Sequence, residues 1–308
     1  MNFLKLIRYQ NLLLLAFMQI VFRYGFLKLQ NIPLALSDFN YALLVLSTVL
    51  IAAAGYIINN IFDQETDSIN KPNAVVVGKS ITENTAYNLY ILLNVSGVGI
   101  GFYLSNVISK PGFAAIFIVI AATLYIYATS LKQMMLVGNL IVAALLSISI
   151  LIIGVFDLFP VTNASNQQLM GSFFSILLDY AIFSFLINFI REIIKDIEDV
   201  NGDYNQGMTT LPIVLGITRT LKVVFVFSFV PLLLLLFYIN NYLVANDLYI
   251  ATAFALLFIV APILYFIIQL LTAKSTKDYH AMSTLLKWIL FTGILSIFII
   301  TLNINYNA

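Results

Sequence analysis

Apolar residues arrive in long runs, with the polar residues gathered between them. The runs lie at about 11–30, 41–60, 87–107, 112–130, 136–157, 171–190, 223–244, 248–272 and 286–304. A helix needs ~20 predominantly apolar residues to cross a hydrocarbon core, so the pattern predicts nine transmembrane helices. Ten-residue segments of alternating polarity are absent, which argues against an outer-membrane barrel.

The polar intervals are unequal. Segments 64–86 and 191–222 are long and rich in Gly, Asn, Asp and Lys, 128–136 is a shorter interval that carries Lys132, and 158–170 is a further polar connection. Acidic clusters follow the second run (NNIFDQETD) and the sixth (KDIEDVNGD). Four helices, an even number, separate these clusters, so both should fall at one end of the bundle. This placement also suggests two four-helix halves with a ninth helix appended, a parallel repeat about the membrane normal. Nine is odd, which puts the termini on opposite sides. Of the 15 basic residues, only Arg23, Lys28 and Lys110 lie at the end away from the acidic clusters. That asymmetry predicts a cytoplasmic N-terminus, an external C-terminus and acidic clusters on the cytoplasmic side of the cell (inner) membrane.

Composition agrees. The chain is 61% hydrophobic and 9% charged, against about 25% charged in soluble domains. It reads as one multi-pass membrane domain over 1–308, with no nucleic-acid partner expected. Lys5 and Arg8 precede an apolar run with no small-residue cleavage site, so the first helix reads as a signal anchor. The absence of cysteine excludes disulfides, thiolate catalysis and thiolate metal sites. Trp288, Tyr41, Tyr87, Tyr180 and Tyr242 lie near helix ends and fit interfacial anchoring. His280, the only histidine, falls in the polar stretch before the ninth run and reads as a solvated loop residue.

The acidic clusters carry the candidate chemistry. Asn59, Asp63 and Asp67 stand at i, i+4 and i+8, one stripe on a helix. Arg191, Lys195, Asp199 and Asp203 repeat at i+4 on a continuation of the sixth helix, with Gly202 near its expected end. Carboxylates on one face repel unless a cation lies between them, and Mg²⁺ takes carboxylate and phosphate oxygens as ligands. The expected metal set is Asp63, Asp67, Asp199 and Asp203, with Asn59, Asn60 and Asp196 assisting. Arg191 and Lys195 would contact phosphate oxygens. Glu192 and Glu198 read as surface salt-bridge partners and stay outside this set.

Asn59-x-x-x-Asp63-x-x-x-Asp67 with Asn70-Lys71-Pro72, together with Asp199-x-x-x-Asp203, resembles the paired aspartate motifs of the UbiA superfamily of intramembrane prenyltransferases. Leu6-Ile7-Arg8, YATSLK from Tyr127 to Lys132, Gly138-Asn139 and Gly207-x-x-Thr210-Leu211-Pro212-x-x-x-Gly216 extend the resemblance over nearly the whole chain. It implies an all-helical bundle around a central cavity, open sideways to lipid and capped by cytoplasmic loops. It also implies Mg²⁺ held by the four aspartates, an isoprenyl diphosphate as donor, and Arg8, Asn59, Tyr127, Lys132, Arg191 and Lys195 as substrate-binding residues. RE-I-I-KDIED and TTLP most resemble the members that alkylate a hydroxyl of geranylgeranylglyceryl phosphate in making ether lipids. Prenylation of an aromatic acceptor in quinone synthesis is the alternative. One departure stands out: after Pro72 the chain has Asn73-Ala74-Val75 where relatives often carry a basic residue, which leaves two readings, Lys79 as the substitute phosphate contact or a loop that contacts no phosphate.

Two other classes compete. A transporter would also suit parallel repeats and intramembrane charge, but the acids gather at one face and no helix is broken at mid-membrane by Gly-Pro pairs. A scaffold gives no reason for two spaced aspartate pairs beside Arg and Lys.

Overall fold

The computed structural model describes residues 2–70, 72 and 75–307. Among these, nine helices are long and apolar enough to cross a membrane: Tyr9–Gln30, Asp38–Phe62, Glu83–Val107, Pro111–Thr129, Val137–Val161, Gln167–Glu198, Ile217–Asn246, Tyr249–Leu270 and Thr276–Asn307. They are called helices one to nine here. Each contains one of the apolar runs or nearly all of it.

The boundaries follow from local chemistry. The Ser37 and Thr82 hydroxyls cap helices two and three by accepting from the amides of Asn40 (3.2 Å) and Thr85 (3.3 Å), as N-caps do. Helix nine begins ten residues before its apolar run because Ser275 and Asp278 form a reciprocal capping pair. The Asp278 carboxylate accepts from Ser275 N (2.9 Å), and Ser275 Oγ accepts from Asp278 N (3.3 Å), the arrangement of a capping box. His280 therefore lies in the first turns of a helix and not in a loop. Its Nδ1 meets Glu198 Oε1 at 3.0 Å, which ties helix nine to the end of helix six.

Helices seven and eight each widen into a π-helical stretch, at Ile239–Leu243 and Leu256–Val260. The Phe258 carbonyl accepts from Thr292 Oγ1 of helix nine (2.8 Å), which satisfies a backbone group that lipid would not. At the end away from the acidic clusters, Arg23 and Asp157 form a fully buried pair (3.2 Å). Asp157 also accepts from Leu36 N (3.0 Å), so this pair pins segment 31–37 across helices one and five. Tyr41 and Tyr180 are not interfacial anchors as expected. Tyr41 is buried and donates to the Gln19 carbonyl, and Tyr180 bonds Ser296 inside the bundle.

Both acidic clusters sit at one end, as the helix count requires, and they repeat one local design. Helix two stops at Asp63 and a short helix, Gln64–Asn70, follows it. Helix six stops at Asp199, followed by Val200–Asn205. The expected uninterrupted stripes are thus broken at the first aspartate of each stripe, where the backbone leaves helical geometry (φ −95°, ψ 4° at Asp63; φ −99°, ψ 7° at Asp199).

The two short helices pack against each other. Asn70 Nδ2 donates to the Asp199 carbonyl (2.8 Å) and Asn70 Oδ1 accepts from Gly202 N (2.9 Å). Gly202 does not end the helix; a Cβ there would overlap the Asn70 side chain. The chain instead leaves Val200–Asn205 through Gly207, whose φ of +68° suits glycine.

Candidate functional site

Below this polar end lies a cavity of about 200 Å³ between helices one, two, four, five and six. Its head is lined by Arg8, Asn59, Tyr127, Arg191, Glu192 and Lys195, and its floor by apolar residues such as Ile51, Phe117, Ile120 and Ile152. From Tyr127 to Phe117 helix four descends about 15 Å at 1.5 Å per residue. A slot with a charged head and a long apolar floor suits an amphiphile with an anionic group and a hydrocarbon tail.

Each head residue is placed by a local device. Arg8 joins Asn2–Leu6 to helix one in the left-handed region (φ 49°, ψ 53°), a conformation costly for a residue with a Cβ. It brings the guanidinium over the Tyr56 ring, 5.5 Å from the centroid. Lys132 lies in the turn after helix four, against the start of helix five. That approach needs Gly138, since a Cβ there would stand 2.9 Å from the Lys132 Cα. Thr209 binds the same turn from the other half, donating through N and Oγ1 to the Gln133 carbonyl (2.9 Å each).

The ionic pattern couples the first cluster to this turn. The Lys132 ammonium pairs with one oxygen of Asp63, and the Asn59 amide donates to the other. Lys132 thus meets a carboxylate here, where the sequence suggested a phosphate. The Asn59 Oδ1 is buried without a hydrogen-bond partner, although such atoms are seldom left unsatisfied. Among the described residues no three His, Cys, Asp or Glu side chains converge as a ready metal shell. The donors at this end are carboxylate and amide oxygens, which suit a hard cation such as Mg²⁺, and the Asn59 oxygen is an open acceptor beside Asp63.

The remaining expected residues divide. Asp67 and Asp203 lie one turn beyond Asp63 and Asp199 in the packed short helices, and Asp203 is buried. Asn60 turns toward the entry of helix one, donating to the carbonyls of Leu6 (3.2 Å) and Tyr56 (2.8 Å). Asp196 accepts from Asn139 (2.8 Å) across helices five and six, so its contact is with the neighbouring helix. Lys79 donates to the Pro72 carbonyl (2.9 Å) at the exposed surface and makes no contact with the cavity. Lys71, Asn73 and Ala74 lie outside the described residues.

Glu192 requires a correction. Expected on the surface, it is buried in the cavity wall and bridges Lys195 (2.8 Å) and Arg191 (3.4 Å). Arg191 also donates through Nε to the Ser283 carbonyl (3.3 Å). Burial of a carboxylate beside two cations is what intramembrane charge requires. The sequence signal was present, because Glu192 shares an i, i+4 face with Asn188 and Asp196 and so faces the bundle. Asn11 and Tyr56 were also missed; each is a polar side chain in or beside an apolar run.

Comparison with known proteins fits this geometry. The family model described as the UbiA prenyltransferase family matches residues 26–299. A digeranylgeranylglyceryl phosphate synthase of Thermococcus sibiricus is 36% identical over 188 residues, 60% of each chain, so that alignment spans about three fifths of the relative's length. A solved structure described as a digeranylgeranylglyceryl phosphate synthase in membranes is similar over 97% of both chains, with TM-score 0.65 and 24% identity. A UbiA homologue from Archaeoglobus fulgidus, bound to DMAPP and Mg²⁺, is similar over 96% of this chain and 99% of its own, with TM-score 0.61 and 14% identity.

Proposed function

The chain belongs to the UbiA prenyltransferase family, and from that premise we propose that its single membrane domain transfers a geranylgeranyl group from its diphosphate to a hydroxyl of geranylgeranylglyceryl phosphate. The observation that carries the choice of acceptor is the charge at the cavity head. Arg8, Arg191 and Lys195 gather there around one carboxylate, Glu192, while the aspartate motifs stand one turn away. A diphosphate neutralised by metal does not need all three cations; a phosphorylated acceptor does. Relatives known as digeranylgeranylglyceryl phosphate synthases point the same way.

Asp63, Asp67, Asp199 and Asp203, with Asn59, would hold the metal. Bound there, Mg²⁺ would supply charge stabilisation for the departing diphosphate. Lys132, held beside Asp63, is within the same cluster and would contact a phosphate oxygen when the carboxylate turns to metal. Arg8 and Tyr127 orient the donor head, and the apolar floor takes its chain and excludes water. In the transfer, the C1–O bond to diphosphate breaks with its electron pair, and a new C–O ether bond forms to the acceptor. The hydroxyl proton leaves to an oxygen base within hydrogen-bond reach, a carboxylate or an oxygen of the departing diphosphate. We place this chemistry at the cytoplasmic face of the cell membrane on the distribution of basic residues.

Purified protein given geranylgeranyl diphosphate, the lipid phosphate and Mg²⁺ should yield a doubly prenylated glycerol phosphate, and chelation should stop it. Transport of substrate with no covalent product would favour a carrier and overturn the reading.

A further inference from the structure

A second cavity, of about 130 Å³, lies between helices one, six and nine, with helices two and five closing its inner side. It meets the first at a shared wall that includes Asn11, Tyr56 and Arg191. The branches differ chemically. The first reaches Asn59 and Tyr127 beside the aspartate motifs; the second reaches Asn188 and Lys287.

Lys287 lies inside the apolar run of helix nine, yet its ammonium donates to Asn11 Oδ1 (2.7 Å), a neutral acceptor. Glu192 is engaged with Arg191 and Lys195. Arg191 is also drawn to helix nine through Ser283, one turn before Lys287. Two cations from two helices therefore converge at the fork, and a half-buried ammonium held only by an amide is costly unless an anion completes it. Away from this head the walls become apolar, through Leu15, Met18 and Phe22 on helix one and Leu290 and Ile294 on helix nine. Eleven residues separate Asn11 from Phe22, a depth of about 16 Å.

We infer that this branch is the acceptor's own site: Lys287 and Arg191 take the phosphate monoester of an isoprenoid amphiphile, and helices one, six and nine enclose its hydrocarbon chain. Donor and acceptor chains then enter one reaction centre from separate branches, which brings the acceptor hydroxyl to the fork. This inference rests on the phosphorylated-acceptor reading above. It adds a residue and a cavity which that reading does not use.

The test is equilibrium binding to the full-length protein in lipid nanodiscs, without donor, of geranylgeranylglyceryl phosphate and of its dephosphorylated alcohol. Wild type should bind the phosphate at least about tenfold more tightly than the alcohol, as expected for a charge-assisted contact. Lys287→Met should erase that preference and Lys287→Arg should keep most of it. Gly293→Leu adds bulk to the wall of the branch, where a Cβ meets only Phe183 Cε1 at an ordinary 3.7 Å. It should weaken both ligands about tenfold and leave geranylgeranyl diphosphate binding unchanged. Equal wild-type binding of phosphate and alcohol would overturn the inference, as would an intact preference in Lys287→Met or weakened donor binding in Gly293→Leu. Phosphate-selective binding that responds to both substitutions, in a protein that transfers nothing to this lipid, would support the site and overturn the proposed reaction.

Discussion

At the residue scale the site is an arrangement of charges that balance only in part. Asp63 is shared between Lys132 and Asn59, and Glu192 between Arg191 and Lys195. Asp63→Ala or Asp199→Ala should lower prenyl transfer by at least about a hundredfold in a Mg²⁺-supported product assay, because diphosphate charge would lose its counter-ion. Near-normal turnover of either variant would remove that residue from the metal set. Lys132→Ala should lower kcat/KM about ten- to a hundredfold, the size of one lost charged contact; an unchanged value would leave Lys132 as a structural partner of Asp63 alone. Spacing made Asn59, Asp63, Arg191 and Lys195 legible in the sequence because i, i+4 positions share a face whatever follows. It misplaced Glu192 because a string such as REIIKDIED also suits a solvated helix, and only the depth at which helix six sits among its neighbours decides between the two. Lys287 is hidden for a related reason: an apolar run that starts at 286 places this lysine at a membrane edge instead of at the fork.

At the element scale the two aspartate segments are held as one unit by a small joint. Asn70 reaches from the first to bond the backbone of the second at Asp199 and Gly202, and the missing Cβ of Gly202 makes room for it. Asn70→Ala should cost about 1–3 kcal/mol, as lost buried hydrogen bonds do. Gly202→Ala should lower thermal stability and transfer activity together. Because both act on one contact, the double variant should be less destabilised than the sum of the singles in a thermal-unfolding cycle; strict additivity would show that the joint does not couple the halves. The sequence contained the aspartates and the glycine but not this pairing, since a contact between residues 70 and 202 leaves no local periodicity. The breaks at Asp63 and Asp199 were hidden for a similar reason. A helix that stops and restarts after one residue keeps its i+4 register well enough to read as continuous.

At the scale of the whole molecule, the nine spans and the shared end of the two clusters were legible, because the bilayer imposes ~20-residue apolar runs and the parity of crossings fixes which loops can meet. The bundle's interior was not, since apolar residues facing lipid and apolar residues lining a cavity have the same composition. The basic asymmetry predicts that a reporter fused at Asn205 reads as cytoplasmic; an external reading would invert the topology and move the site to the other face. The central claim is that this membrane cavity joins an isoprenyl donor to a lipid phosphate, and a competition among acceptors tests it most directly. Purified protein with Mg²⁺ and geranylgeranyl diphosphate is offered geranylgeranylglyceryl phosphate together with hydroxybenzoate, naphthoate and homogentisate acceptors, and the products are identified by mass. The account predicts that the doubly prenylated glycerol phosphate dominates; a prenylated aromatic ring as the sole product would contradict it.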